Sequence, residues 1–243
     1  PSTFSPMRWQ GDHLELLEDE AGRGLTEQDR LLWALCRPAR LLELSAYYTV
    51  FDAGERKVAR YQQLRCVERA MERIRQRDDE GKRLGGIVWH TQGSGKSLTM
   101  VMLAEAILRD TDIVEPKIVL VTDRVDLDDQ IYGNFKNCGA ELEQATTGQR
   151  LLEILNDPRA RIVTTLIHKF QSAVDTRGAR VEHQNVFVLV DESHRTNFGP
   201  LHASMKRVLP SACLIGFTGT TLPVAPGTCA VLGLEPVLID SRS

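Results

Sequence analysis

Gly86-Ile87-Val88-Trp89-His90-Thr91-Gln92-Gly93-Ser94-Gly95-Lys96-Ser97 is the stretch on which the reading of this chain turns. It runs from an aliphatic strand through a loop of small residues into a helical pattern, Leu98–Leu108. Glycines let a loop turn its N–H groups toward an anion with no Cβ in the way. The helix that follows points the positive end of its dipole at the same place. In such a P-loop, Thr91, Gly93, Ser94 and Gly95 form the cradle. Lys96 reaches the β- and γ-phosphates of a nucleoside triphosphate, and the Ser97 hydroxyl ligates Mg2+. The strict motif has glycine where this chain has His90, so the match is to the shorter G-x-G-K-S form. A glycine-rich turn between strand and helix is the plain alternative, and the flanking strand and helix are the context that the functional reading requires.

A second feature supports the first. Asp191-Glu192 follows Val186-Phe187-Val188-Leu189-Val190, so two carboxylates stand at the C-terminal end of a buried strand. Ligands of open α/β sheets bind at that edge. Asp191 suits a magnesium position, and Glu192 suits polarising an attacking water. Alone, an Asp-Glu pair at a strand end reads as a solvated turn; beside a P-loop it completes a Walker-type site.

Working outward, residues 86–89, 117–122, 162–166, 186–190 and 213–217 read as strands, and 96–109, 126–137, 148–156 and 200–208 as helices. Continuous aliphatic strands alternating with helices predict βαβ units and a buried, mainly parallel sheet flanked by helices. Residues 60–77 predict an amphipathic helix with Leu64, Val67, Met71 and Ile74 on one face. Before it, residues 1–58 form a small helical lead-in without a catalytic signature. There Thr26 is the expected N-cap with Asp29 in the capping-box position. Pro38 opens a second helix through Leu44, and Tyr47–Phe51 is strand-like. The expected organisation is therefore lead-in 1–58, nucleotide domain 59–221 and a loop-like tail 222–243.

Bulk composition narrows the classes. The 243 residues are 42% hydrophobic and 26% charged, ordinary for a globular α/β chain. A net charge of -3 leaves no global attraction for nucleic acid, so any such contact must be local. The five scattered cysteines show no C-x-x-C spacing, which argues against zinc and against a disulfide framework. The aliphatic runs are too short to span a bilayer, and no apolar leader is visible at the N-terminus. The expectation is a cytoplasmic protein with no membrane partner.

His90–Met100, Val121–Leu127 and Asp191-Glu192-Ser193-His194-Arg195 resemble helicase motifs I, Ia and II. Thr165–Phe170 resembles motif Ib, Gly216–Thr220 motif III, and Arg60-Tyr61-Gln62-Gln63 the upstream adenine-sensing glutamine motif. Their order and spacing are similar to the motor (restriction) subunit of type I restriction-modification enzymes, across residues 47–221. The resemblance implies the first of two RecA-like domains of a superfamily 2 motor. ATP and Mg2+ are the implied cofactors, double-stranded DNA and the modification and specificity subunits the implied partners. The implied activity is ATP-driven DNA translocation, followed by cleavage when the motor stalls. It also implies that Gln63 reads the adenine edge, with Gln62 as the alternative register. His194 couples hydrolysis to movement, and Thr218, Gly219 and Thr220 sense the γ-phosphate. Arg124, Thr165, His168 and Lys169, placed just after predicted strands, become the DNA-binding set, gripping backbone phosphates. Arg124 and Lys169 read equally well as loop charges in water, and Arg195 could serve DNA or a carboxylate.

The chain departs from the family's Thr-Gly-Thr-Pro at position 221, which is Thr, and Leu222–Ser243 does not follow the pattern. Neither a second motor domain, source of the arginine finger, nor a nuclease domain is recognisable. The expectation is a fragment that binds ATP and DNA with little turnover. The competing readings are a binding module without enzyme activity, or another superfamily 2 helicase. A GTPase is disfavoured because no Asn-Lys-x-Asp segment follows the P-loop, and a small-molecule kinase has no need of motifs Ia, Ib and III.

Overall fold

Neighbouring residues of the aliphatic strands face two different cores, as a period of two requires. A computed structural model of the protein describes residues 23–24, 26–89, 95–174, 179–191 and 198–219. Six strands make one sheet: β3 (Gly86–Trp89), β4 (Lys117–Thr122), β5 (Glu143–Ala145), β6 (Ile162–Leu166), β7 (Val186–Asp191) and β8 (Cys213–Thr218). Their order is β3-β8-β7-β4-β6-β5, and every pair is parallel. The α/β class, the parallel sheet and its flanking helices are thus as the sequence led one to expect.

Phe187 and Leu189 of β7 join Ile118 and Leu120 of β4 in a core with α3 (Tyr61–Arg75), α4 (Lys96–Arg109) and α5 (Val125–Asn137). Val186, Val188 and Val190 face the opposite side with Val119 and Val121. There they meet α6 (Gly148–Asn156), α7 (His168–Val174) and α8 (Phe198–Val208). The result is a three-layer α/β/α sandwich. Buried on both faces, the strands have no polar side to show, which is why they read as unbroken aliphatic runs. Leu64, Val67, Met71 and Ile74 are all buried, as the amphipathic pattern of α3 demands.

Within the six-stranded sheet and its flanking helices, two short elements escaped sequence reading. Strand β5 is a three-residue edge strand, and α7 is a seven-residue helix; neither is long enough for a periodicity to register.

The lead-in is only partly helical. Helix α1 (Glu27–Cys36) begins as expected: Thr26 Oγ1 accepts from Asp29 N–H at 3.2 Å, and Thr26 N–H donates to Asp29 Oδ2 at 2.9 Å. Pro38 opens α2, which runs to Tyr47. An antiparallel hairpin then follows, β1 (Thr49–Asp52) with β2 (Glu55–Val58), turning at Ala53 and Gly54 with positive φ at both. Leu44, Tyr48 and Val50 pack into the same core as α3 and α4, so the lead-in shares the domain's interior. Residues 1–22 and 220–243, the latter including the expected tail 222–243, lie outside the described residues. No helix among the described residues is long and apolar enough to cross a membrane.

Candidate functional site

Strands β3, β8 and β7 lie side by side, and their C-terminal ends bring three distant segments together. Trp89, the last residue of β3, pairs with Thr218, the last of β8; Asp191, the last of β7, pairs with Phe217. The motif III-like strand therefore stands between the P-loop strand and the Asp191 strand. Thr218 is fully buried and Gly219 half-buried at this edge.

Helix α4 starts at the same edge. Its N-cap, Gly95, has φ +88 and ψ +36, a left-handed conformation that glycine adopts without strain. Lys96 is the first helical residue, and its Nζ lies 2.6 Å from Asp191 Oδ1. Asp191 is almost completely buried, whereas Lys96 keeps about a fifth of its side chain exposed (20%). Charge-assisted contacts of this length are strong. Ser97, next along, is half-buried in the first turn of α4.

Gln63 braces the glycine from behind. Its Nε2 donates to the Gly95 carbonyl at 3.1 Å, and its Oε1 accepts from the Arg60 N–H at 2.9 Å. A Cβ added at Gly95 would sit 2.7 Å from Gln63 Nε2, so the close approach also requires glycine. A carboxamide offers two donors and two acceptor positions. Gln63 is itself buried, at 4% exposure, with one donor and one acceptor engaged in these two bonds. Gln62 is half-buried, and its Oε1 has no hydrogen-bond partner among the described residues, so the register alternative also stands at the head of α3.

Thr99, inside the motif I-like stretch, is fully buried, with its Oγ1 3.2 Å from the Gly95 carbonyl. A hydroxyl four residues after the loop glycine was the available signal, since it can bond back one turn. Thr91, Gly93, Ser94, Glu192, His194 and Thr220 lie outside the described residues.

The expected DNA set separates. Arg124 is exposed at the N-cap of α5, His168 is exposed at the start of α7, and Lys169 is half-exposed beside it. The Ile167 N–H donates to the Thr122 carbonyl at 2.8 Å, tying the turn before α7 to the end of β4. Desolvation first, and then the Lys169 charge, lower the His168 pKa, so this imidazole offers hydrogen bonds rather than charge at neutral pH. Thr165 is a correction. It lies within β6 rather than after it and is fully buried, because the strand is covered on both faces. Among the described residues its hydroxyl reaches only the adjacent Leu166 carbonyl, at 3.5 Å, and no part of it is exposed.

Comparison with known proteins accords with this geometry. The HindI type I restriction enzyme endonuclease subunit of Haemophilus influenzae is 33% identical over 81% of the chain. A Methanocaldococcus jannaschii relative bearing the type I restriction enzyme endonuclease-subunit name MjaIXP is 29% identical over 88%. The chain spans about a fifth of the length of each, 21% and 22% respectively. Among solved structures, the UvsW helicase of bacteriophage T4 superimposes with a TM-score of 0.56 at 16% identity, covering 92% of the chain and 74% of that protein. The Sulfolobus solfataricus SWI2/SNF2 ATPase core in complex with dsDNA gives 0.54 at 15% identity, covering 80% and 38%. At these identities the superpositions establish the helicase-type fold and no more. The SWI2/SNF2 ATPase family model matches residues 62–230, most of the chain. The chain belongs to the SWI2/SNF2 ATPase family.

Proposed function

We propose that this chain is the ATP-binding half of a DNA motor of the type I restriction kind, acting in the translocation and restriction of foreign DNA. The Lys96–Asp191 contact at the head of α4 carries the reading. Each charge there neutralises the other at the sheet edge where α/β ligands bind. A triphosphate chelated to a divalent cation presents the complementary pair: its oxygens can take the ammonium while the cation takes the carboxylate. The residues present therefore fit ATP with Mg2+, which when bound supplies the anhydride to be cleaved.

In this reading Lys96 holds the β/γ-phosphates, and the backbone of Thr91, Gly93, Ser94 and Gly95 cradles them. Ser97 and Asp191 hold the cation. Glu192 polarises the attacking water. Gln63 reads the adenine edge with its remaining donor and acceptor. Thr218, on the strand between the P-loop and Asp191, senses occupancy together with Gly219 and Thr220, while His194 couples it to movement. Arg124, His168 and Lys169 contact DNA phosphates; Thr165 does not. The likeness to endonuclease subunits supports a cytoplasmic complex with modification and specificity subunits.

The test is ATP hydrolysis by the purified chain, with and without linear double-stranded DNA, beside a nucleotide titration. DNA-stimulated turnover is the expected signature of the motor. Binding without turnover would favour the reading as a nucleotide-binding module, and absence of ATP binding would overturn both.

A further inference from the structure

A second buried polar cluster lies away from the nucleotide edge contacts. Asp128, in the first turn of α5, is 4% exposed. Its Oδ2 accepts from Gln144 Nε2 at 2.8 Å, and the same amide nitrogen reaches Asp129 Oδ1 at 3.1 Å. Gln144 of β5 is the direct register partner of Thr164 of β6, so the two side chains stand next to each other on one face of the sheet. Thr164 is fully buried there. Burial pushes the Asp128 carboxyl above its ordinary range, while the Gln144 amide and the Thr164 hydroxyl pull the other way. Yet among the described residues Asp128 Oδ1 and Thr164 Oγ1 each lack a hydrogen bond of normal geometry. A buried polar atom left unsatisfied is costly, and a contact between the carboxyl and the hydroxyl would satisfy both at once.

The cluster has a particular place in the chain. Asp128 directly follows Val121–Leu127, the stretch carrying Arg124, and its own N–H donates to the Arg124 carbonyl at 3.0 Å. Thr164 directly precedes Thr165–Phe170, the stretch carrying His168 and Lys169. A side-chain bridge from α5 to β5, with Thr164 of β6 beside it in register, therefore stands at the bases of both segments.

We propose that Asp128, Gln144 and Thr164 form a lock that sets the spacing between Arg124 and the His168–Lys169 turn, which makes Asp128 a positioning residue for the DNA grip. The lock rests on the reading above in which those two segments hold DNA phosphates. Phosphates along a strand are spaced at fixed intervals, so two cationic groups grip them together only when their own separation is held.

The experiment uses the full chain and three variants: Asp128→Ala, Asp128→Asn and Thr164→Val. A carboxamide keeps an acceptor for Gln144 and a donor for Thr164, so Asp128→Asn preserves the lock while Asp128→Ala removes it. The expected result is that Asp128→Ala and Thr164→Val each weaken double-stranded DNA binding about tenfold, as loss of a single positioning contact would. Asp128→Asn stays within about twofold of the parent, and ATP binding is unchanged in all three. Hydrogen exchange of the Ile167 amide, read without DNA, should quicken in Asp128→Ala and not in Asp128→Asn. Parent-like DNA affinity and exchange in Asp128→Ala would overturn the lock. So would a loss in Asp128→Asn equal to that in Asp128→Ala, because a carboxamide should suffice. If the parent chain itself fails to bind DNA, the DNA-grip reading fails, and the exchange experiment still decides whether the lock exists.

Discussion

Lys96 Nζ and Asp191 Oδ1 stand 2.6 Å apart, joining the first residue of one helix to the last residue of a strand 95 positions later. The contact forms because β8 separates β3 from β7 and all three end at the same height.

Lys96→Ala should remove nucleotide affinity, because the β/γ charge loses its counter-ion. The readout is ligand-induced thermal stabilisation: ATP at a hundredfold excess over its dissociation constant stabilises a native state by about 2.7 kcal/mol, and the variant should show none of it. The unliganded variant should also melt lower, since Asp191 is buried and loses a charge-assisted contact. Undiminished ATP stabilisation would sink the P-loop assignment.

Glu192→Gln should separate binding from chemistry. General-base assistance is worth about 10²–10⁴ in rate, so hydrolysis should fall by that order while the ATP titration is unchanged. Equal turnover in parent and variant would remove Glu192 from the mechanism.

Gly95→Ala tests the bracing by Gln63. The left-handed backbone costs a non-glycine residue about 1–2 kcal/mol. The new Cβ would also stand 2.7 Å from Gln63 Nε2, which must move away and release the Gly95 carbonyl. Stability and ATP affinity should drop together. In Gln63→Ala the clash is absent but the brace and the proposed adenine contact are lost, so discrimination of ATP over GTP should narrow. Unaltered base selectivity in that variant would transfer the role to Gln62.

Arg124→Ala and Lys169→Ala should each weaken DNA binding without regard to base sequence. Each should also lower the slope of log affinity against log salt by about one, the signature of one lost phosphate contact. Thr165→Val should leave the slope alone, because that side chain is inside the sheet. An unchanged slope in both charge variants would mean that Arg124 and Lys169 are solvated loop charges.

Lys117→Met addresses stability. Lys117 is 4% exposed, and its Nζ donates to the carbonyls of Ile154, Leu155 and Asp157 at 3.1, 2.8 and 2.7 Å, capping the C-terminal end of α6. Methionine keeps the aliphatic stem and loses the donors. Buried carbonyls left unsatisfied, together with the lost charge at a helix C-terminus, should cost about 1–3 kcal/mol, read as a lower urea midpoint with an unchanged slope. An unchanged midpoint would show that water satisfies these carbonyls equally well.

The sequence alone determined the elements whose signals are local. The strands at 86–89, 117–122 and 162–166 and the helices at 96–109 and 148–156 end where their hydrophobic periodicity ends, because burial on one or two faces dictates the pattern residue by residue. It also singled out Lys96 and Asp191, since glycine-loop chemistry and a carboxylate at a strand end are visible without neighbours. What only the tertiary structure decided is long-range. Strand order leaves no mark on the strands themselves, so nothing in Cys213–Thr218 announces that this strand inserts between β3 and β7 and sets Thr218 at the edge shared with Lys96 and Asp191. The burial of Thr165, the brace of Gln63 on Gly95 and the meeting of Asp128 with Gln144 and Thr164 are likewise contacts between segments distant in sequence. Such contacts come from packing, and a one-dimensional pattern records that a side chain is polar without recording which polar partner the fold will bring to it.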